Sequence, residues 1–146
     1  MRVKEAMQPT EGLDTDVTLA GVLEAIETTG CETLPIVDRS NGEVIVRQLV
    51  SVRDLPKLRR AQASAERGHV LGHSVLELLF ALGRSAGRFP TIAPEATLVD
   101  AWGLMSDEGV PHMPVVAHGQ VVGMLSLVVT FSEFPFRSPA AGFWAM

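Results

Sequence analysis

Apolar residues return along this chain with two different periods, and each period occurs twice. Leu19, Val22, Leu23 and Ile26 fall at i, i+3, i+4 and i+7, the stripe along one face of an amphipathic helix. Leu98, Ala101, Trp102 and Met105 repeat that spacing. Thr18 and Thr97 stand just before the two stripes, where a threonine oxygen accepts an orphan N–H of the first turn. Gly30 and Gly109 follow the polar ends of the same segments, where a helix should stop. A short apolar strand comes next in each case, Leu34 to Val37 and Met113 to Val116. Turn signals follow, Asn41-Gly42 and His118-Gly119, and then second strands, Glu43 to Val46 and Gln120 to Leu125.

The two sets are related by a constant offset. Thr18-Leu19 and Thr97-Leu98 lie 79 positions apart, and so do Leu34-Pro35-Ile36-Val37 and Met113-Pro114-Val115-Val116. A shared offset over separate anchors marks an internal duplication. Between 18–37 and 97–116, five of twenty positions are identical, which persuades only because the apolar pattern agrees as well. Each copy is expected to open with a short helix, Val3 to Met7 and Ser74 to Leu82, the latter with Ser74 and Glu77 in capping-box spacing. The joining stretch, Leu55 to Gly72, is helix-compatible from Lys57 to Arg67. Arg84-Ser85-Ala86-Gly87-Arg88 is expected to be a flexible basic loop that lengthens the second lead-in by seven residues, Leu79 to Thr97 against Met7 to Thr18. The expected division is a first repeat at 1–68, a second at 69–131 and a tail at 132–146. That tail, following Phe131 and carrying Phe134, Phe136, Phe143 and Trp144, reads as an irregular segment that needs a surface to cover.

Composition narrows the class. With 146 residues, 47% hydrophobic and 20% charged, the chain is long and apolar enough for a real core. No apolar run approaches the ~18 residues of a membrane span, and Met1-Arg2-Val3-Lys4-Glu5 leads into no signal-like apolar stretch. A single cysteine, Cys31, excludes an internal disulfide framework and fits a reducing cytoplasm, the expected location. A net charge of −5 argues against broad nucleic-acid affinity. The charge is uneven, with Arg47, Arg53, Lys57, Arg59, Arg60 and Arg67, six of the twelve basic groups, falling within residues 47–67. Such a cluster suits a solvated helix face, or a positive rim for phosphate.

Taken together, the repeats resemble a tandem pair of CBS domains, the regulatory module named after cystathionine β-synthase. The order of helix, strand, Thr-Leu, helix, Gly, Pro-Val-Val-like strand, Gly and strand follows that family. Gly109-Val110-Pro111-His112-Met113-Pro114-Val115-Val116 is especially similar, and Ser51-Val52-Arg53-Asp54 matches its Ser/Thr-x-x-Asp signature. The resemblance spans roughly 1–131. It implies an α/β fold of two β-α-β-β-α repeats packed through their sheets with pseudo-two-fold symmetry, and commonly a disc-like dimer of such pairs. It also implies a non-catalytic regulator that binds an adenosine compound (AMP, ADP, ATP or S-adenosylmethionine) between the repeats and signals to a partner protein.

The residue types suit that ligand. A carboxylate can accept both hydroxyls of a ribose, and Asp54 is the candidate. Ser51, three residues earlier, shares a turn with it if a helix starts there, and a helix start favours an anion. Arg53 and Arg47 add positive charge. Pro56 must sit in the first turn of any helix here. By resemblance, the adenine slot falls to Gly12, Leu13, Thr33, Leu34 and Pro35 in the first copy, and to Thr91, Ile92, His112, Met113 and Pro114 in the second. The second copy keeps Ser126 but has Val129 in place of the acid, so asymmetric sites are expected. Two extra residues between Gly42 and Ser51, relative to Gly119 and Ser126, imply a bulge or a longer strand in the first copy.

Other readings have less behind them. His69 and His73 are separated from any shared helix by Gly72, and no His-Glu-x-x-His pattern exists, so no metal site is expected. Cys31 has no evident base partner for nucleophilic work. The serious alternative is a ligand-free scaffold that dimerises and docks on an enzyme or transporter.

Overall fold

The structure, a computed structural model, describes residues 1–40, 42–67, 74–84 and 87–127, with no side-chain description at 66 and 67. Asn41, His69, His73, Val129 and the aromatic tail lie outside the described residues.

The order of elements is α1 (Val3–Ala6), β1 (Gln8–Pro9), β2 (Leu13–Asp14), α2 (Leu19–Thr29), β3 (Thr33–Ser40), β4 (Glu43–Ser51), a single 3-10 turn (Val52–Asp54), α3 (Leu55–Arg67), α4 (Val75–Ala81), α5 (Leu98–Glu108), β5 (His112–Ala117) and β6 (Gln120–Ser126). The duplication is visible bond by bond. Thr18 accepts the Gly21 N–H and Thr97 accepts the Asp100 N–H, each at 3.1 Å, capping α2 and α5 at equivalent positions. Both helices run eleven residues and end on a glycine in the left-handed region, Gly30 at φ 71° and Gly109 at φ 66°. A Cβ there would be strained, which is why glycine stops both helices.

Two three-stranded sheets result, in the orders β2-β3-β4 and β1-β6-β5. The parallel pairing of Leu13 with Ile36 recurs as a bridge between Ile92 and Val115. Both hairpins carry a register shift at the same place, between Ile36 and Val37 and between Val115 and Val116. Below the shift the hairpins superimpose, with Thr33 opposite Ser51 and His112 opposite Ser126. Above it, the first hairpin continues through Asp38–Ile45, Arg39–Val44 and Ser40–Glu43, whereas the second ends at Ala117–Gln120. The bulge is therefore shared, and a longer arm accounts for the extra residues of the first copy. Ser51 and Ser126 remain equivalent.

Each copy borrows its opening helix from elsewhere in the chain. Val3 of α1 is fully buried with Leu98, Ala101, Met105, Met113, Val115 and Leu125 of the second copy. Its N–H donates to Ala96 O at 2.8 Å, and β1 pairs antiparallel with β6. Val75, Leu78 and Leu79 of α4 are buried with Val22, Leu34, Ile36 and Val50 of the first copy, and the Val75 N–H donates to Val17 O at 2.8 Å. The two sheets meet at a third cluster, Val37, Val46 and Val121, with Val44, Leu49, Phe89 and Val116 against it. The fold is thus α/β, two copies of one helix-and-hairpin unit packed through their sheets with pseudo-two-fold symmetry, the first copy closing on α3.

Candidate ligand-binding site

The site is built where the lower ends of the two hairpins approach each other. Pairing of β3 with β4 sets Thr33 beside Ser51, and pairing of β5 with β6 sets His112 beside Ser126. The backbone leaves both hairpins in the same way: Val52 N–H donates to Glu32 O at 2.9 Å, and Leu127 N–H donates to Pro111 O at 2.8 Å. Between the copies lies a cavity of about 270 Å³ bounded by Gly30, Cys31, Glu32 and Thr33 on one side and His112, Met124 and Ser126 on the other, with Ala6 and Gln8 closing it. Gln8 is held there by a bond from its side-chain amide to Thr29 O at 3.2 Å. Such a volume is at the small end of ligand clefts.

His112 carries the electrostatics of this cavity. Burial disfavours its charged form, the Glu32 carboxylate opposes that, and Arg53 adds to it, so its pKa lies below the ordinary 6.5. The imidazole is accordingly neutral near pH 7 and offers one donor and one acceptor.

The counterpart position, at Ser51, is arranged differently. Ser51 precedes the 3-10 turn, and its N–H donates to Asp54 Oδ2 at 2.8 Å while its hydroxyl donates to the same oxygen at 3.2 Å. Pro56 falls in the first turn of α3, where its missing N–H leaves no bond unmade. Asp54 is buried, with 5% of its surface exposed. Arg84 supplies the counter-charge: Nη1 donates to Asp54 Oδ2 at 3.1 Å and to Leu49 O at 3.4 Å, and Nη2 donates to Asp54 Oδ1. Burial alone would raise the Asp54 carboxyl, but the Arg84 guanidinium and the two Ser51 donors outweigh it and hold it below 3.8. Arg84 is positioned by the end of α4, where Gly83 adopts φ 92° and the Arg84 N–H donates to Leu79 O at 3.0 Å. The expected flexible loop is therefore anchored at its first residue.

Of the residues singled out in the sequence, Thr33, His112 and Ser126 come together at the open cavity. Ser51 and Asp54 form the counterpart, and Arg53 is exposed beside them. Leu34 and Met113 turn their side chains into the two cores and are fully buried. Pro35 and Pro114 are buried within β3 and β5. Leu13 and Ile92 pack against the same two cores, and Thr91 is half-buried. Gly12 lies between the sheets, where a Cβ would stand 2.8 Å from a Val37 methyl and 3.4 Å from one of Val121. Arg47 is spent on Asp38 at 3.4 Å. Sequence reasoning missed Gln8, Glu32 and Arg84 as site residues. Glu32 was findable from its place next to Thr33, but Gln8 and Arg84 enter only through the exchanged opening segments. Among the described residues no group of His, Cys, Asp and Glu is arranged to hold a metal.

The sequence from 86 to 128, within the second repeat, matches the family model described as CBS domain. No curated protein matches the chain. Solved structures align over nearly all of it. CBSX2 of Arabidopsis thaliana in complex with AMP is 21% identical, covering 90% of this chain and 93% of its own, with a TM-score of 0.58. The CBS domain of a membrane protein from Sphaerobacter thermophilus is 21% identical, covering 92% and 88%, with a TM-score of 0.60. The chain folds as a CBS pair. A third similar structure is the CBS-domain pair of MJ0100 in complex with 5′-methylthioadenosine and S-adenosyl-L-methionine. It is 17% identical to this CBS pair, covers 94% and 98%, and has a TM-score of 0.59. At these identities the likeness is one of fold. The family model matches the second copy, and the first copy shares that copy's caps, bulge and turn bonds. Among the described residues of the pair, no helix is long and apolar enough to cross a membrane.

Proposed function

We propose that this CBS pair is a regulatory module that binds an adenosine compound (AMP, ADP, ATP or S-adenosylmethionine) between its repeats and transmits occupancy to a partner protein. The observation that carries the reading is the convergence of Thr33, His112 and Ser126 on one inter-repeat cavity, with a Ser51–Asp54 pair at its counterpart. Asp54 is the ribose ligand in this reading, because a carboxylate accepts two neighbouring hydroxyls at once. Ser126 and His112 serve a second, weaker site. Structures of the same fold that hold AMP, 5′-methylthioadenosine and S-adenosylmethionine support the ligand class.

The mechanism is linkage. A ligand that touches both copies binds one arrangement of them better than another and shifts its population by that difference. The module itself is non-catalytic and cytoplasmic in this reading. It works as a homodimer through the groove between α2 and α3, which Leu19, Ala20, Leu23, Leu55 and Pro56 line. Leu23 is 46% exposed there, so the groove presents apolar surface that a partner could cover. That groove also supports the second reading, a scaffold that docks on an enzyme or transporter without a ligand.

Calorimetric titration of ligand-stripped protein with AMP, ATP and S-adenosylmethionine tests the proposal. Saturable binding weakened by Asp54→Ala is expected. Absence of heat and of thermal shift with all three compounds would leave the scaffold reading.

A further inference from the structure

The two inter-repeat positions are related by the duplication, yet they are furnished differently: a cavity lies against Ser126, and an ion pair stands beside Ser51. Met124 and Ser126 line the open cavity. Their counterparts in the first copy are Leu49 and Ser51, because Pro114 pairs with Met124 and His112 with Ser126, as Pro35 pairs with Leu49 and Thr33 with Ser51. Arg84 bonds to Leu49 O, and through Asp54 it is joined to Ser51. The guanidinium therefore stands at the counterpart of the open cavity, supplied by this chain itself.

Its contacts leave the carboxylate little capacity. Asp54 Oδ2 already accepts from the Ser51 N–H, the Ser51 hydroxyl and Arg84 Nη1, and Oδ1 accepts from Arg84 Nη2. The Ser51 bonds are local and fix the turn. The Arg84 bonds come from thirty positions away, and they are the ones a ribose diol would have to replace. The Arg84 side chain is 38% exposed, so it can turn outward without unpacking a core. A displaced guanidinium next to a bound nucleoside is a fork-shaped donor with no acceptor, the geometry that a phosphate matches.

Resting on the ligand-sensing reading above, we propose that Arg84 sets the charge of the ligand taken at Asp54. An adenosine compound displaces the guanidinium from the carboxylate and must offer it a phosphate in exchange. A neutral nucleoside breaks the ion pair and returns nothing. S-adenosylmethionine offers a carboxylate to the same fork, but together with an ammonium and a sulfonium, so its exchange returns less than a phosphate does. The site is thereby selective for phosphorylated adenosine compounds, by exchange of one anion for another on the same arginine.

The test is titration of the full chain with AMP, adenosine and S-adenosylmethionine, scoring the binding event that Asp54→Asn weakens so that the Ser126 cavity is set aside. Wild-type protein is expected to prefer AMP over adenosine by roughly tenfold or more, the ratio that one charge-assisted exchange supplies. In Arg84→Gln the ratio should fall to near one, with adenosine gaining and AMP losing. Arg84→Lys keeps the charge without the fork, should give an intermediate ratio, and decides the matter if the glutamine variant does not fold. Equal affinity for AMP and adenosine in wild type, or a ratio unmoved by both variants, overturns the role of Arg84 while leaving ligand sensing intact. Binding that Asp54→Asn leaves unweakened overturns this inference alone, whereas no binding of any of the three, in wild type or in a folded Arg84 variant, removes the sensing reading and this inference with it.

Discussion

At the scale of single residues, the site is governed by two groups whose pKa values move in the same direction for different reasons. His112 is lowered mainly by burial, so the unfolded chain binds its proton more readily than the folded one. Stability from this source is full above 6.5 and is lost as pH falls through the lower folded value. Asp54 is lowered by Arg84 and Ser51 against burial, and its contribution is lost only as pH falls from 3.8 through the folded value. Acidification should therefore weaken the protein in two separate stages. Calorimetric melting at pH 7.5 and 5.5 checks the first: the drop seen in wild type should be smaller in His112→Gln. Equal drops in the two proteins would assign the acid sensitivity to other groups.

At the scale of elements, the duplicated caps make a matched experiment. Thr18→Ala and Thr97→Ala each remove one acceptor from an equivalent first turn, so each should cost about 1 kcal/mol by denaturant titration. A large inequality between them would mean that one cap carries a further contact. The β1–β6 pairing makes a second test. A Cβ at Gly123 would lie 2.7 Å from Met7 Sδ and 2.9 Å from Gln8 O. Sulfur can move, but the backbone oxygen belongs to the strand being paired. Gly123→Ala should cost roughly 1–3 kcal/mol and loosen β1, read as faster amide exchange at Thr10, whose N–H donates to Val122 O. A variant as stable as wild type, with Thr10 equally protected, would show that β1 shifts freely.

At the scale of the whole molecule, the exchange of opening helices makes the copies interdependent. Val3 lies in the core of the second copy and Val75 in that of the first. Val3→Ala should cost roughly 2 kcal/mol and be felt first in β5 and β6, whereas Val75→Ala should act first on β3 and β4. Native-state hydrogen exchange distinguishes this crossed pattern from one in which each change weakens the hairpin that follows it in the chain. The crossing also explains how occupancy of an inter-repeat site can reach both copies. Ala6 and Gln8 line the open cavity, and Arg84 bonds to Asp54 beside Ser51, so each opening segment reaches a hairpin end as well as a core.

The sequence by itself determined what depends on local periodicity and local bonding. Helix stripes, threonine caps, glycine stops and hairpin turns involve residues within a few positions of one another, and the 79-residue offset tied them into two copies. The Ser51–Asp54 turn was legible for the same reason, since its bonds span three residues. Only the tertiary structure decided which core each opening helix joins, that the extra residues of the first copy lengthen a hairpin tip, and that Leu34 and Met113 are core while Thr33 and His112 face the cavity. It alone brought Arg84 to Asp54. Charge pairing across thirty positions depends on where two helix ends come to rest, and no period or motif in a single chain encodes that distance.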